Sequence, residues 1–272
     1  MKKYILLILV MSFSLSILGQ ERHGGIPIAF NAEKNNLQKF LKTLPDKKTI
    51  FSAEKRIFAE IDNVKEQQKA DSIAEADGFS RKQLYGLTVP VNLDFKASAT
   101  VENIGDTGKI YLLELVSPTA YALQVYFDKF KLPKGSRMFI YDSNRTEFLG
   151  SFTHENNFVD NKLGTSFIYS NSLIIEYYEP NIVEFEAQIH IEKLVHSFTE
   201  VRKGPFAGGN GADTCQVNVN CSLGYGWDKE KRAVALILAQ VSGGYSAFCS
   251  GALINNTAQD GTPYFFNRKS LF

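Results

Sequence analysis

Over residues 87 to about 198, hydrophobic and polar positions alternate with a period of two. Leu123, Val125 and Phe127 are separated by Gln124, Tyr126 and Asp128. Val183, Phe185, Ala187, Ile189 and Ile191 are separated by Glu184, Glu186, Gln188, His190 and Glu192. Such alternation predicts strands with one buried and one wet face. Further strands are predicted at 110–116, 137–141, 166–169 and 173–178. Turn signals separate them at Ser117-Pro118, Leu132-Pro133-Lys134-Gly135, Asp142-Ser143-Asn144 and Glu179-Pro180. Many short strands at this spacing predict an antiparallel β-sandwich over 87–200.

Ahead of it the period is helical. Leu37, Phe40, Leu41 and Leu44 follow i, i+3, i+4, i+7 spacing, and Pro45 ends the run. Ser52 is placed to cap a second helix carrying Ile57, Phe58, Ile61 and Val64 on one side. Residues 20–86 are therefore predicted as a short helical lead. Residues 1–19 have the three-part form of a secretory signal peptide: Lys2 and Lys3, an aliphatic run from Ile5, then Gly19 as the small residue at the cleavage point. The competing reading is a membrane anchor. The apolar core is shorter than the roughly 20 residues a span needs, and Ser12, Ser14 and Ser16 dilute it. Export without a stable membrane anchor, into the periplasm or medium, is the expectation, and there disulfides are allowed.

Composition narrows the function classes. Thirty basic residues against 29 acidic ones leave a net charge of +1, which argues for no nucleic-acid partner. His154, His190 and His196 are isolated in sequence, with no metal-ligand spacing, so no metal or cofactor is expected. Residues 201–213 read as a linker, with Arg202-Lys203-Gly204-Pro205 and Gly208-Gly209-Asn210-Gly211. No Gly-Lys-Ser/Thr follows those glycines, so they are no phosphate loop. All three cysteines, Cys215, Cys221 and Cys249, lie beyond this linker. Their odd number in an exported chain points to a missing partner or a free thiol.

The segment from 214 onward carries recognisable residues. Cys215 and Cys221 stand six apart. Arg232-Ala-Val-Ala-Leu-Ile-Leu-Ala-Gln240 is predicted as a strand, Ser242-Gly243-Gly244 as a turn and 245–254 as a second strand. The second runs through Cys249-Ser250-Gly251-Ala252-Leu253-Ile254-Asn255-Asn256-Thr257-Ala258. This resembles the start of the mature domain of bacterial lysyl endopeptidases, which are trypsin-like serine proteases. The part before it resembles the pro-region of such proteases, at Leu132-Pro133-Lys134-Gly135, Phe139-Ile140-Tyr141-Asp142 and Ile174-Ile175-Glu176-Tyr177-Tyr178-Glu179-Pro180. The resemblance implies peptide-bond hydrolysis after Lys, protein or peptide substrates and no cofactor. It implies that Cys249 pairs with a Cys beside the catalytic His, and that Cys215 and Cys221 pair with residues further on. It also makes Lys203 the candidate cleavage site between pro-region and protease.

After Phe265 the family continues Leu-Thr-Ala-x-His-Cys, whereas this sequence reads Phe266-Asn267-Arg268-Lys269-Ser270-Leu271-Phe272. Those seven residues can be encoded as TTT AAC CGC AAA TCA TTG TTT. With one T removed, the same bases read TTA ACC GCA AAT CAT TGT, which is Leu-Thr-Ala-Asn-His-Cys. The expectation is a precursor whose frame breaks at the catalytic His. No catalytic residue then stands in the chain as written, which is expected to be inactive. The fold expected is mostly β: helical lead, antiparallel sandwich, then the first strands of an incomplete trypsin-like barrel with nothing to pack against. The sandwich is expected to close its own strand pattern. The alternative is a secreted, non-enzymatic β-sandwich for adhesion or for glycan or protein binding.

Overall fold

Six of the nine residues of β4 (Gly108–Val116) are buried, Ile110–Leu113 in an unbroken run, although a half-wet strand would alternate. Its two faces are both covered. Tyr111, Leu113 and Leu115 enter the main core, while Ile110 and Leu112 join Phe139, Tyr141 and Ile174 in a second cluster on the other side. The computed structural model of the chain, in which β4 is central, describes residues 52–76, 84–201, 222–258, 260 and 264–267. The signal-peptide junction at Gly19, the helix over Leu37–Leu44, Lys203, Cys215, Cys221 and the tail from Arg268 lie outside the described residues.

Two antiparallel-rich sheets face each other. The first orders β1 (Glu54–Ile57), β4, β9 (Ser172–Pro180), β6 (Arg137–Asp142) and β7 (Phe148–Phe152), with β3 (Thr100–Ile104) also on β4. The second orders β11 (Val234–Gln240), β12 (Tyr245–Ile254), β2 (Leu84–Asp94), β10 (Gln188–Ser197), β5 (Ala122–Lys131) and β8 (Leu163–Gly164), with β13 (Tyr264–Asn267) also on β12. Leu123, Val125, Phe127, Ile189 and Ile191 from the second sheet meet Leu113, Ile140, Ile175 and Tyr177 from the first. The predicted alternation supplies the core from Ala187 onward, whereas Val183 and Phe185, predicted on the same strand, precede β10 in an irregular, partly exposed segment. The alternation breaks at a bulge between Ile191 and Lys193, after which Leu194 takes the inward place.

Three local expectations are corrected. Ile57, Phe58, Ile61 and Val64 do not share a helix. Residues 54–57 form β1, an exposed edge strand that pairs in parallel with β4. The helix here is α1 (Asn63–Ala76), and its cap is Asp62, whose Oδ1 accepts the Lys65 N–H at 3.1 Å, rather than Ser52. Residues 166–169 make only an isolated bridge, Leu123 with Ile168. The Arg232 strand starts two residues late, because Asp228–Ala233 form a short helix, α3 after the one-turn α2 (Phe95–Ser98).

The sandwich also does not close its own pattern. β2 offers an open edge and β12 occupies it, with Tyr245 opposite Leu87, Ser246 opposite Gly86 and Ala247 opposite Leu84. The C-terminal strands therefore extend the second sheet, and a packing partner exists where none was expected.

Candidate functional site

The joint between sandwich and C-terminal strands concentrates the unusual contacts. Residues 245–248, Tyr-Ser-Ala-Phe, are all buried, and because strand side chains alternate they split between two faces. Tyr245 and Ala247 pack with Ala70 and Ala74 of α1, Leu84 and Phe198. The small side chains of Ala70 and Ala74 let α1 lie close, which explains why both are fully buried. The Tyr245 hydroxyl donates to Glu66 Oε2 at 3.1 Å, and burial followed by that carboxylate raises the phenol above its ordinary pKa. Glu66 is in turn held by Lys69 at 2.5 Å.

On the opposite face, Phe248 stacks on Tyr85 with centroids 4.3 Å apart and lies 6.1 Å from Phe167. Val195 and Val201 complete this pocket. The Tyr85 hydroxyl donates to Gln124 Oε1 at 2.5 Å, a bond within the sandwich that holds the ring independently of Phe248. Gly86 lets the strands approach. A Cβ there would lie 2.7 Å from Val195 Cγ1 and 3.1 Å from the His196 carbonyl oxygen.

His196 stands at the sandwich end of this joint. Its Nδ1 lies 2.7 Å from Ser117 Oγ, and its Nε2 lies 2.8 Å from Asn63 Oδ1. Asn63 Nδ2 donates to the Thr119 carbonyl, and Thr119 Oγ1 to that of Ile61. The chain Ser-His-Asn has the residue types of a catalytic triad. Ser117 and His196 are both 0% exposed, however, so no substrate carbonyl reaches them. The network instead ties the start of α1 to the end of β4. Burial pushes the His196 pKa down to about 4, which keeps the ring neutral with one nitrogen donating and one accepting.

The other predicted polar positions disperse. His190 Nδ1 lies 2.5 Å from Asp128 Oδ1 on the wet side of β10, and His154 begins a one-turn helix far along the chain. A hollow of about 440 Å³ is lined by Asp94, Lys96, Lys129, Glu186, Gln188 and His190. Lys96 there lies 3.3 Å from Glu186 and 3.0 Å from Glu179. The hollow presents no hydroxyl or thiol nucleophile. Among the described residues no group of three or more His, Cys, Asp or Glu side chains could hold a metal ion.

Cys249 is a free, half-buried thiol on β12. β13 returns antiparallel along the same strand, with Ile254 opposite Tyr264 and Gly251 opposite Asn267. At Gly251 the Phe265 ring occupies the space that a Cβ would need. The joint itself was missed by sequence reasoning. Its only trace was Tyr245 and Phe248 flanking small residues, a pattern equally suited to an ordinary core strand.

Among solved structures the chain is similar to a family 35 carbohydrate binding module from an environmental isolate, at 15% identity over 47% of this chain and 89% of that one. The TM-score is 0.18. Residues 209–269 match the family model described as the C-terminal domain of lysyl endopeptidase. This stretch takes in α3, β11, β12 and β13, and it relates the C-terminal part of the chain to the lysyl endopeptidases.

Proposed function

We propose that the chain is the exported precursor of a lysyl endopeptidase-like serine protease, with the sandwich as its pro-region and residues from 214 onward as the opening strands of the protease domain. The carrying observation is the match over 209–269, a stretch that includes Cys249 to Ala258 on β12 and the turn after it. Two structural features support this reading. β13 runs back along β12 toward the free thiol of Cys249, the direction needed if a Cys following β13 is to pair with it. Val234, Leu236, Ile254, Tyr264 and Phe266 are exposed on one face of these strands, and an apolar sheet face of this kind is suited to cover by further strands.

The shifted frame supplies Leu-Thr-Ala-Asn-His-Cys directly after Phe265. In that reading the His at the end of β13 serves as general base, taking the proton from a serine nucleophile while an Asp orients the ring. Both the Ser and the Asp belong to sequence downstream in the restored frame. His196 is buried in its own network, so it is no candidate for that base.

The test is a frame-restored chain assayed on peptides with single Lys, Arg or Leu sites. Cleavage after Lys, abolished by a serine-directed acylating reagent, is expected. A folded restored chain that cleaves none of them would overturn the proposal.

A further inference from the structure

β12 has two edges. β11 runs along one of them from Ser246 to Ala252. The other is shared: β2 takes Tyr245–Ala247, and β13 takes Gly251–Ile254. Where β2 pairs, each side of β12 enters a receptor built by the sandwich. Tyr245 and Ala247 fill the hollow under α1, and Phe248 fills the slot beside Tyr85 and Phe167. Main-chain pairing supplies grip, and alternating side-chain pockets supply selectivity, as in peptide recognition by strand addition.

We propose that the β2 edge, with these two pockets, is a binding site for an extended aromatic–small–small–aromatic segment, and that it retains the C-terminal segment as a separate polypeptide once the 202–213 linker is cut. The occupant is this chain's own Tyr245-Ser246-Ala247-Phe248 strand. Nothing in the grip requires the linker, since the contacts are the β2 pairing, the Glu66–Tyr245 hydrogen bond and the two aromatic pockets. The four residues carry no charge, so their burial leaves no ion to be paired. The identity of the partner as a protease segment rests on the function proposed above; the grip does not.

The experiment inserts a recognition sequence for a site-specific protease between Gly208 and Gly209 of the full chain, cuts it, and follows both pieces by size-exclusion chromatography. The wild-type pieces are expected to elute together. The pieces of Phe248→Asp are expected to separate. An excess of synthetic peptide spanning 242–250 should displace the wild-type C-terminal piece, and the same peptide with Asp at both aromatic positions should not. Separation of the wild-type pieces on cutting, or joint elution of the Phe248→Asp pieces, would overturn the proposal. If Phe248→Asp does not fold in its C-terminal segment, the peptides decide: equal displacement by both, or by neither, overturns it. No proteolytic activity or coding frame enters these readouts. A failed grip therefore leaves the protease reading standing, and a chain with no His-Cys frame leaves the grip standing.

Discussion

His196 is a case where one side chain decides a pH response. Burial holds its folded pKa at about 4, with the Glu66 charge pulling weakly the other way, against 6.5 for an ordinary histidine. Between those values the unfolded chain binds a proton that the folded chain does not. Stability is therefore predicted to fall as pH drops from 6.5 toward 4. His196→Gln should flatten that slope in urea midpoints measured across the window; an unchanged slope would mean the ring is not held neutral. Gly86 is the second such residue. Gly86→Ala puts a Cβ against Val195 and the His196 carbonyl, and is predicted to cost about 1–3 kcal/mol of stability, read from chemical denaturation. No loss would mean that β2 and β10 can part to admit a methyl group.

At the scale of elements, β12 depends on its aromatic anchors. Phe248→Ala removes a buried ring and is predicted to weaken the joint by about 3–5 kcal/mol. Hydrogen exchange should then speed up in β11 and β12 while β4 and β9 stay slow. Uniform acceleration would show that the joint and the sandwich unfold as one unit. β13 sets a second condition. Prolonged in its present register past Asn267, it would run onto Ser246–Ser250, and β2 already holds Tyr245–Ala247. In a frame-restored chain the two compete for one edge, so Tyr245–Ala247 should exchange faster than in the chain described; equal protection would mean that the returning strand turns away before Ser246. The elements that the sequence revealed are those whose burial follows their own pattern. β5, β9 and β10 each write a core face into the chain. β1 was hidden because an edge strand held by backbone bonds to β4 needs no apolar face. Ile57 is two-thirds exposed, at 67%, and its spacing with Phe58, Ile61 and Val64 imitated a helix by coincidence. α1 was displaced for the converse reason, since its buried side is made of alanines that leave little hydrophobic signal.

For the whole molecule, the joint means that sandwich and C-terminal strands share a sheet without sharing the main core. The largest cluster contains no residue after Leu194, whereas the clusters around Tyr245 and Phe248 bridge both parts. The cysteine pattern and the Cys249–Ala258 motif made the relation to lysyl endopeptidases legible in the sequence. The docking of that segment on β2 was not, because pairing between distant strands is specified by an open edge and two receptors, each built from separate parts of the chain. The central claim, that residues 209–269 open a protease domain, is tested most directly by determining the coding DNA from Tyr264 onward. A neighbouring frame reading Leu-Thr-Ala-x-His-Cys and continuing to an Asp and a Gly-x-Ser-Gly nucleophile is predicted. A stop codon in that frame before either would contradict it.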